Sequence, residues 1–119
     1  HKMHSERFDI DEEDLEKLNS AENIIAVGTT SLRVLESCYR DGKFSLPEKR
    51  STDIFLHPGV EVKSIKGLIT NFHLPKSTLL MLVSSLIGRK KTLELYKEAV
   101  DKKYRFFSYG DSMAILRDL

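Results

Sequence analysis

The chain has 119 residues, enough for one hydrophobic core and not two. Its 19 basic and 18 acidic residues leave a net charge of +1, which argues neither for nor against a nucleic-acid partner. Hydrophobic residues at 40% exclude wholesale disorder, the single cysteine excludes an internal disulfide, and no apolar run suits a membrane span or a signal peptide. A lone cysteine, Cys38, fits a reducing, cytoplasmic setting. The opening His1-Lys-Met-His4 carries no starting methionine, as expected of a piece of something longer or of a purification remnant.

His4 to Phe8 is too short to classify and suits an extended segment. Asp9 or Asp11 can cap a helix running to about Asn19, with Glu12, Glu13 and Asp14 complementing its first turn. Leu15 and Leu18 are its only core-facing residues, so it belongs on the surface. Asn23 to Val27 predicts a strand, Gly28-Thr-Thr30 a tight turn, and Ser31 to about Tyr39 a helix with Leu32, Leu35 and Tyr39 on one face. Arg40 to Ser51 is polar, interrupted by Gly42 and Pro47, and reads as an exposed connection. Thr52 to Leu56 predicts another strand, stopped by Pro58-Gly59 in the middle of a type II turn. The segments flanking that turn can add an antiparallel pair.

The most informative stretch runs from Lys66 to Arg89. Gly67 to Thr70 is a short apolar strand, and Asn71 to Lys76 breaks it around Pro75. Ser77 is an N-cap candidate for a helix from Thr78 to Ile87 that is apolar on nearly every side and must be covered all round. It falls short of the roughly 20 apolar residues a membrane span needs. Gly88 is a C-cap, and Thr92 a cap for a further helix to about Lys103, with Leu93, Tyr96, Ala99 and Val100 as its apolar face. Tyr104 to Ser108 is a strand or extended segment, Tyr109-Gly-Asp111 a turn, and Met113 to Leu116 apolar again. The strand–loop–helix units around Gly28 and Pro75 predict an α/β layer architecture with mostly parallel strands.

Chemistry-bearing residues gather at the strand ends. Lys76-Ser-Thr78 matches the tail of a phosphate-binding loop, but that motif needs G-x-x-x-x-G-K-[ST], and Pro75 stands where its second glycine belongs. A standard nucleotide triphosphatase is excluded; a looser anion site at the helix start is not. His73 lies between strand and helix, where it can serve as a general base, although a loop histidine held for structural reasons is the commoner case. Four scattered histidines and one cysteine offer no zinc spacing. The basic runs Arg89-Lys-Lys91 and Lys102-Lys103 are ordinary solvated surface unless a polyanion is implied elsewhere. Tyr104, Phe106, Phe107 and Tyr109 can stack on bases but more often such a cluster is core.

Several strings, taken in order, resemble one family. They are His1-Lys-Met-His-Ser-Glu6, Ala26-Val-Gly-Thr-Thr30 with Arg33, Thr52-Asp-Ile-Phe55 with Pro58-Gly59, Leu68 to Leu79, and Tyr104 to Asp111. Together they resemble the C-terminal part of the S-adenosylmethionine:tRNA ribosyltransferase-isomerases of queuosine biosynthesis. The resemblance implies that the chain is the C-terminal portion of the α/β domain of a longer enzyme, without the family's inserted β-barrel domain. It also implies a reaction: the ribosyl group of S-adenosylmethionine passes to an aminomethyl-deazaguanine at the tRNA wobble position, giving epoxyqueuosine, adenine and methionine. S-adenosylmethionine is then a substrate rather than a retained cofactor, and no metal is needed. The partners implied are precursor tRNA and the remainder of the parent chain, with no membrane.

Under that resemblance His73 is the first candidate for acid–base work, with His4 and Glu6 behind it. Thr29, Thr30 and Arg33 would hold a carboxylate or phosphate, and Asn71, Ser77 and Thr78 ribose or base edges. Asp53 and Asp111 would pair with an amine or the sulfonium, and Tyr109 would stack on a base. Thr70 to Thr78 would line one side of the site. The alternative from another class is a non-catalytic ligand- or RNA-binding α/β module.

Overall fold

The computed structural model describes residues 5–72, 78–105 and 110–117. The chain opens with β1 (Glu6–Arg7) and then α1 (Glu12–Ser20). Asp11 caps α1 and forms a reciprocal capping box with Asp14, the Asp14 amide donating to Asp11 Oδ1 at 2.8 Å. As expected, α1 buries none of its residues. Next come β2 (Ile25–Val27), α2 (Thr29–Cys38), and a hairpin of β3 (Tyr39–Arg40) and β4 (Lys43–Phe44). Asp41 and Gly42 between them both have positive φ, 54° and 83°, the backbone of a type I′ turn. Asn19 of α1 clips this hairpin in place: its Nδ2 donates to the Phe44 carbonyl at 3.0 Å and its Oδ1 accepts from the Phe44 amide at 2.7 Å.

The strand expected at 52–56 is reduced to β5 (Ser51–Thr52), paired antiparallel with β1. The Thr52 hydroxyl accepts from the Ile54 amide at 3.2 Å, and the Ile54 carbonyl accepts from Arg33, so side chains take the groups a ladder would use. The turn at Pro58-Gly59 is present, with Gly59 at φ 99° and the Val60 amide donating to the His57 carbonyl at 3.1 Å. No antiparallel pair flanks it. Leu56, Val62 and Ile65 instead enter the core on irregular backbone. That backbone is satisfied by side chains: Glu36 Oε1 accepts from the Lys63 and Ser64 amides, and Arg117 Nη2 donates to the Val62 and Ile65 carbonyls.

Then follow β6 (Gly67–Asn71), α3 (Thr78–Ile87), α4 (Arg89–Asp101) and β7 (Ser112–Leu116). The main sheet has the order β2-β6-β7. The α/β architecture is carried by β2 and β6, which run parallel in the register Ile25↔Gly67 to Val27↔Ile69 across the α2 crossover. Parallel pairing stops there among the described residues. Two helices, rather than one, separate β6 from β7, so the chain returns at the far end of β6 and runs back antiparallel, Asn71 opposite Ser112. The β1·β5 and β3·β4 ribbons are also antiparallel, the second because a two-residue turn permits nothing else.

Helix α4 begins earlier than its sequence suggests. Thr92 is not its cap: it is fully buried in the second turn, its hydroxyl donating to the Gly88 carbonyl at 2.7 Å. The buried face is therefore Thr92, Tyr96 and Ala99, rotated away from Leu93 and Val100, which are exposed. The all-round cover expected of α3 is observed, no residue from 79 to 87 being exposed. Leu82 packs with Ala26, Leu32 and Leu68, while Val83 packs with Phe72, Tyr96, Met113 and Ile115. Each fully buried leucine of this kind stabilises the fold by about 2 kcal/mol. All these strand residues point to one side of the sheet, so α2, α3 and α4 form a single layer over one face.

Candidate functional site

The parallel pair ends in a cleft of about 450 Å³, lined by Val27, Gly28, Thr29, Thr30, Ser31, Ile69, Thr70, Asn71 and Ser112. Its position follows from the topology: the C-terminal ends of β2 and β6 and the start of α2 diverge there, where open α/β sheets bind ligands. Gly28 makes the turn. Its φ of 92° and ψ of 149° lie where side-chain-bearing residues are strained, and its amide donates to the Ile69 carbonyl at 2.8 Å. With glycine at the N-cap position, no side chain caps α2, and its first-turn amides border the cleft.

Four residues singled out from the sequence, Thr29, Thr30, Thr70 and Asn71, meet in this cleft. Asp111 directly precedes Ser112 on the rim, and its Oδ2 accepts from the Arg105 amide at 2.5 Å. Thr78 is the first residue of α3. Three other candidates do not line the cleft. Arg33 is 3% exposed and donates from Nη1 to Glu6 Oε1 at 2.8 Å and from Nε to the Ile54 carbonyl at 3.2 Å. Glu6 is thus held against α2 by an ion pair, and Asp53 is exposed after β5. His4, His73, Ser77 and Tyr109 lie outside the described residues.

Ser31 and Ser112 complete the polar lining without having been singled out. Ser31 follows directly on Thr29-Thr30, a signal available in the sequence. Ser112 enters only through its register opposite Asn71, which a linear reading does not contain.

The described lining offers five hydroxyls, one carboxamide and uncapped helix amides, and no titratable side chain. Such a surface can hold ribose hydroxyls or an anionic group. It does not itself move protons. Among the described residues no three His, Cys, Asp or Glu side chains gather as a metal would require, and no helix is long and apolar enough to cross a membrane.

A family model described as queuosine biosynthesis protein matches residues 1–115. The S-adenosylmethionine:tRNA ribosyltransferase-isomerase of Acetivibrio thermocellus is 56% identical over 119 residues, covering 97% of this chain and 35% of the relative. The enzyme of that name from Carboxydothermus hydrogenoformans is 54% identical over 120 residues, covering 98% and 35%. Among solved structures, an S-adenosylmethionine tRNA ribosyltransferase from Thermotoga maritima matches with a TM-score of 0.75 and 46% identity, over 87% of this chain and 38% of that one. The chain thus spans about a third of the length of the curated relatives it matches. The family match over nearly its whole length, on a fold shared with a solved member, establishes that the chain belongs to the queuosine biosynthesis protein family.

Proposed function

We propose that these 119 residues are the C-terminal portion of the α/β domain of an S-adenosylmethionine:tRNA ribosyltransferase-isomerase, and that the cleft at β2 and β6 contributes to its S-adenosylmethionine site. The observation that supports this is the convergence of Thr29, Thr30, Thr70 and Asn71, drawn from two separate family-like strings, on one cleft at the ends of the parallel strands. S-adenosylmethionine presents what such a lining can hold: ribose hydroxyls, a carboxylate suited to helix amides, and an adenine with hydrogen-bonding edges.

The reaction begins with loss of a proton beside the sulfonium, whose charge acidifies that carbon. Adenine leaves, the amine of the precursor base attacks, and epoxide closure expels methionine. Binding that fixes the ribose lowers the barrier by restricting the reacting groups to productive geometries. The proton transfers need titratable groups beyond the described lining, and His73, two residues past Asn71, is the candidate. The 119 residues alone bind without turning over.

In a complete family enzyme bearing these residues, adenine release from S-adenosylmethionine in the presence of precursor tRNA is expected, with loss of turnover in His73→Ala. Full activity of that variant removes His73 from the chemistry. Titration calorimetry of the 119-residue chain with S-adenosylmethionine tests the binding half, and heat-silent mixing at millimolar ligand would reject it.

A further inference from the structure

Charge is unevenly spread over the fold. Asp9 to Glu22, around α1, holds seven acidic residues and one basic, whereas Arg89 to Arg105, along and just beyond α4, holds seven basic and three acidic. The basic segment ends in an unusual cap. The Lys103 amide donates to the Val100 carbonyl at 3.1 Å and the Tyr104 amide to the Ala99 carbonyl at 2.9 Å, the paired bonds of a Schellman motif. Such an ending holds the residue just past the helix in the left-handed region, where glycine is usual, and here Lys103 stands there at φ 58°. Among the described residues Lys103 forms no ion pair; the pair at this helix end is Lys102 with Glu98, at 2.8 Å. Nothing in the described fold calls for lysine at this position, and strained residues of this kind cluster at functional sites.

The same cap delivers the next two residues to the cleft. Tyr104 lays its ring against Phe72, centroids 5.7 Å apart, and Phe72 directly follows Asn71. The Arg105 amide donates to Asp111 Oδ2 at 2.5 Å, and Asp111 directly precedes Ser112. Lys103-Tyr-Arg105 is thus tied to the neighbours of Asn71 and Ser112, the two cleft residues that face each other across β6 and β7. All three remain exposed, Tyr104 at 45% despite its contact with Phe72. Alternating basic and aromatic side chains suit a single-stranded nucleic acid, whose phosphates take the cations and whose base takes the ring. We infer that Lys103, Tyr104 and Arg105 grip the tRNA strand beside the nucleotide that enters the cleft, Tyr104 stacking on the adjoining base and Lys103 and Arg105 meeting its phosphates. The inference takes its partner, tRNA, from the proposed function and adds the surface that holds it. A lysine kept where glycine would fold better separates this contact from the solvated lysines of α4, which sit in ordinary helical backbone.

The test uses a complete family enzyme bearing these residues and precursor tRNA without S-adenosylmethionine, by filter binding across a range of salt. Lys103→Gly should raise the urea unfolding midpoint, because glycine relaxes the left-handed cap. The same variant should weaken tRNA binding severalfold and lower the slope of log affinity against log salt by about 0.7–0.9, the worth of one phosphate contact. Lys103→Arg, which keeps the charge, should bind as the unsubstituted enzyme does. Tyr104→Leu, which keeps an apolar contact for Phe72, should weaken binding about tenfold with little change in slope. S-adenosylmethionine affinity by calorimetry should be unchanged in all three variants, so a failed S-adenosylmethionine site and a failed tRNA contact are read on separate ligands. Unaltered tRNA affinity in Lys103→Gly or in Tyr104→Leu overturns the inference, as does an equal loss in Lys103→Arg.

Discussion

Arg33 Nη1 lies 2.8 Å from Glu6 Oε1, joining α2 to the first strand across 27 positions of sequence. The guanidinium is almost wholly buried and the carboxylate partly so. Removing Arg33 leaves Glu6 and the Ile54 carbonyl without this donor. Arg33→Ala should lower unfolding free energy by about 1–3 kcal/mol, the range for losing a charge-assisted hydrogen bond whose acceptor is partly in water. Glu6→Gln, which keeps a hydrogen-bond acceptor, should cost clearly less. Urea denaturation of the two variants checks the order; equal small losses would mean that the pair does not hold the β1·β5 ribbon.

The cleft makes a separate claim. In a complete family enzyme with these residues, Thr30→Val and Asn71→Ala should raise KM for S-adenosylmethionine by up to about tenfold each, the worth of one hydrogen bond. Unfolding midpoints should hardly move, since both residues are exposed. A change confined to KM for tRNA would move these residues out of the S-adenosylmethionine site.

Two glycines should respond to alanine for different reasons. At Gly28 a Cβ meets nothing within 4 Å, so the penalty is conformational, about 1–3 kcal/mol for a residue held in so sparsely populated a backbone region. At Gly67 a Cβ would stand 2.8 Å from Leu116 Cδ2 and 3.0 Å from the Ile115 carbonyl oxygen. Trimming Leu116 to alanine should therefore relieve part of the Gly67→Ala loss and none of the Gly28→Ala loss. A double-mutant cycle measured by thermal unfolding separates the two.

Burial pushes the Cys38 thiol above its ordinary pKa, with Arg50 opposing the shift. The folded state thus keeps its proton longer than the unfolded chain. This contribution is intact below about pH 9 and is lost as pH rises through the folded-state value. Stability should decline on that alkaline limb, and Cys38→Ala should flatten the decline. Disulfide-exchange reagents should label Cys38 only as fast as the chain opens, because the thiolate is the attacking species.

Elements with strong local signals were legible: an aspartate cap at Asp9 or Asp11, the apolar Thr78–Ile87 run, the turn at Gly28. Four of the cleft residues could be chosen because they sit at strand ends, which any strand–loop–helix reading identifies. What escaped depends on partners distant in sequence. The extended run at 52–56 gave way because Arg33 and the Thr52 hydroxyl claim its backbone. Thr92 looked like a cap but bonds backward to Gly88, which turns the buried face of α4. Asp41-Gly42 is a hairpin signal inside a stretch whose polar composition suggests only an exposed connection. The resemblance gives Arg33 to an anionic ligand, and only the fold reveals Glu6 beside it.

Asn71 and Ser112 face each other across the β6·β7 ladder, so α3 and α4 are inserted between two residues that are neighbours in the sheet. The register of the two strands is set by their own ladder. An insertion or deletion inside α3 or α4 would rotate Leu82, Val83, Tyr96 or Ala99 out of the core that covers the sheet, and a one-residue change inside β6 or β7 would turn every side chain to the wrong face. The helical cover and the strands beneath the cleft are thus each fixed in length by what they bury.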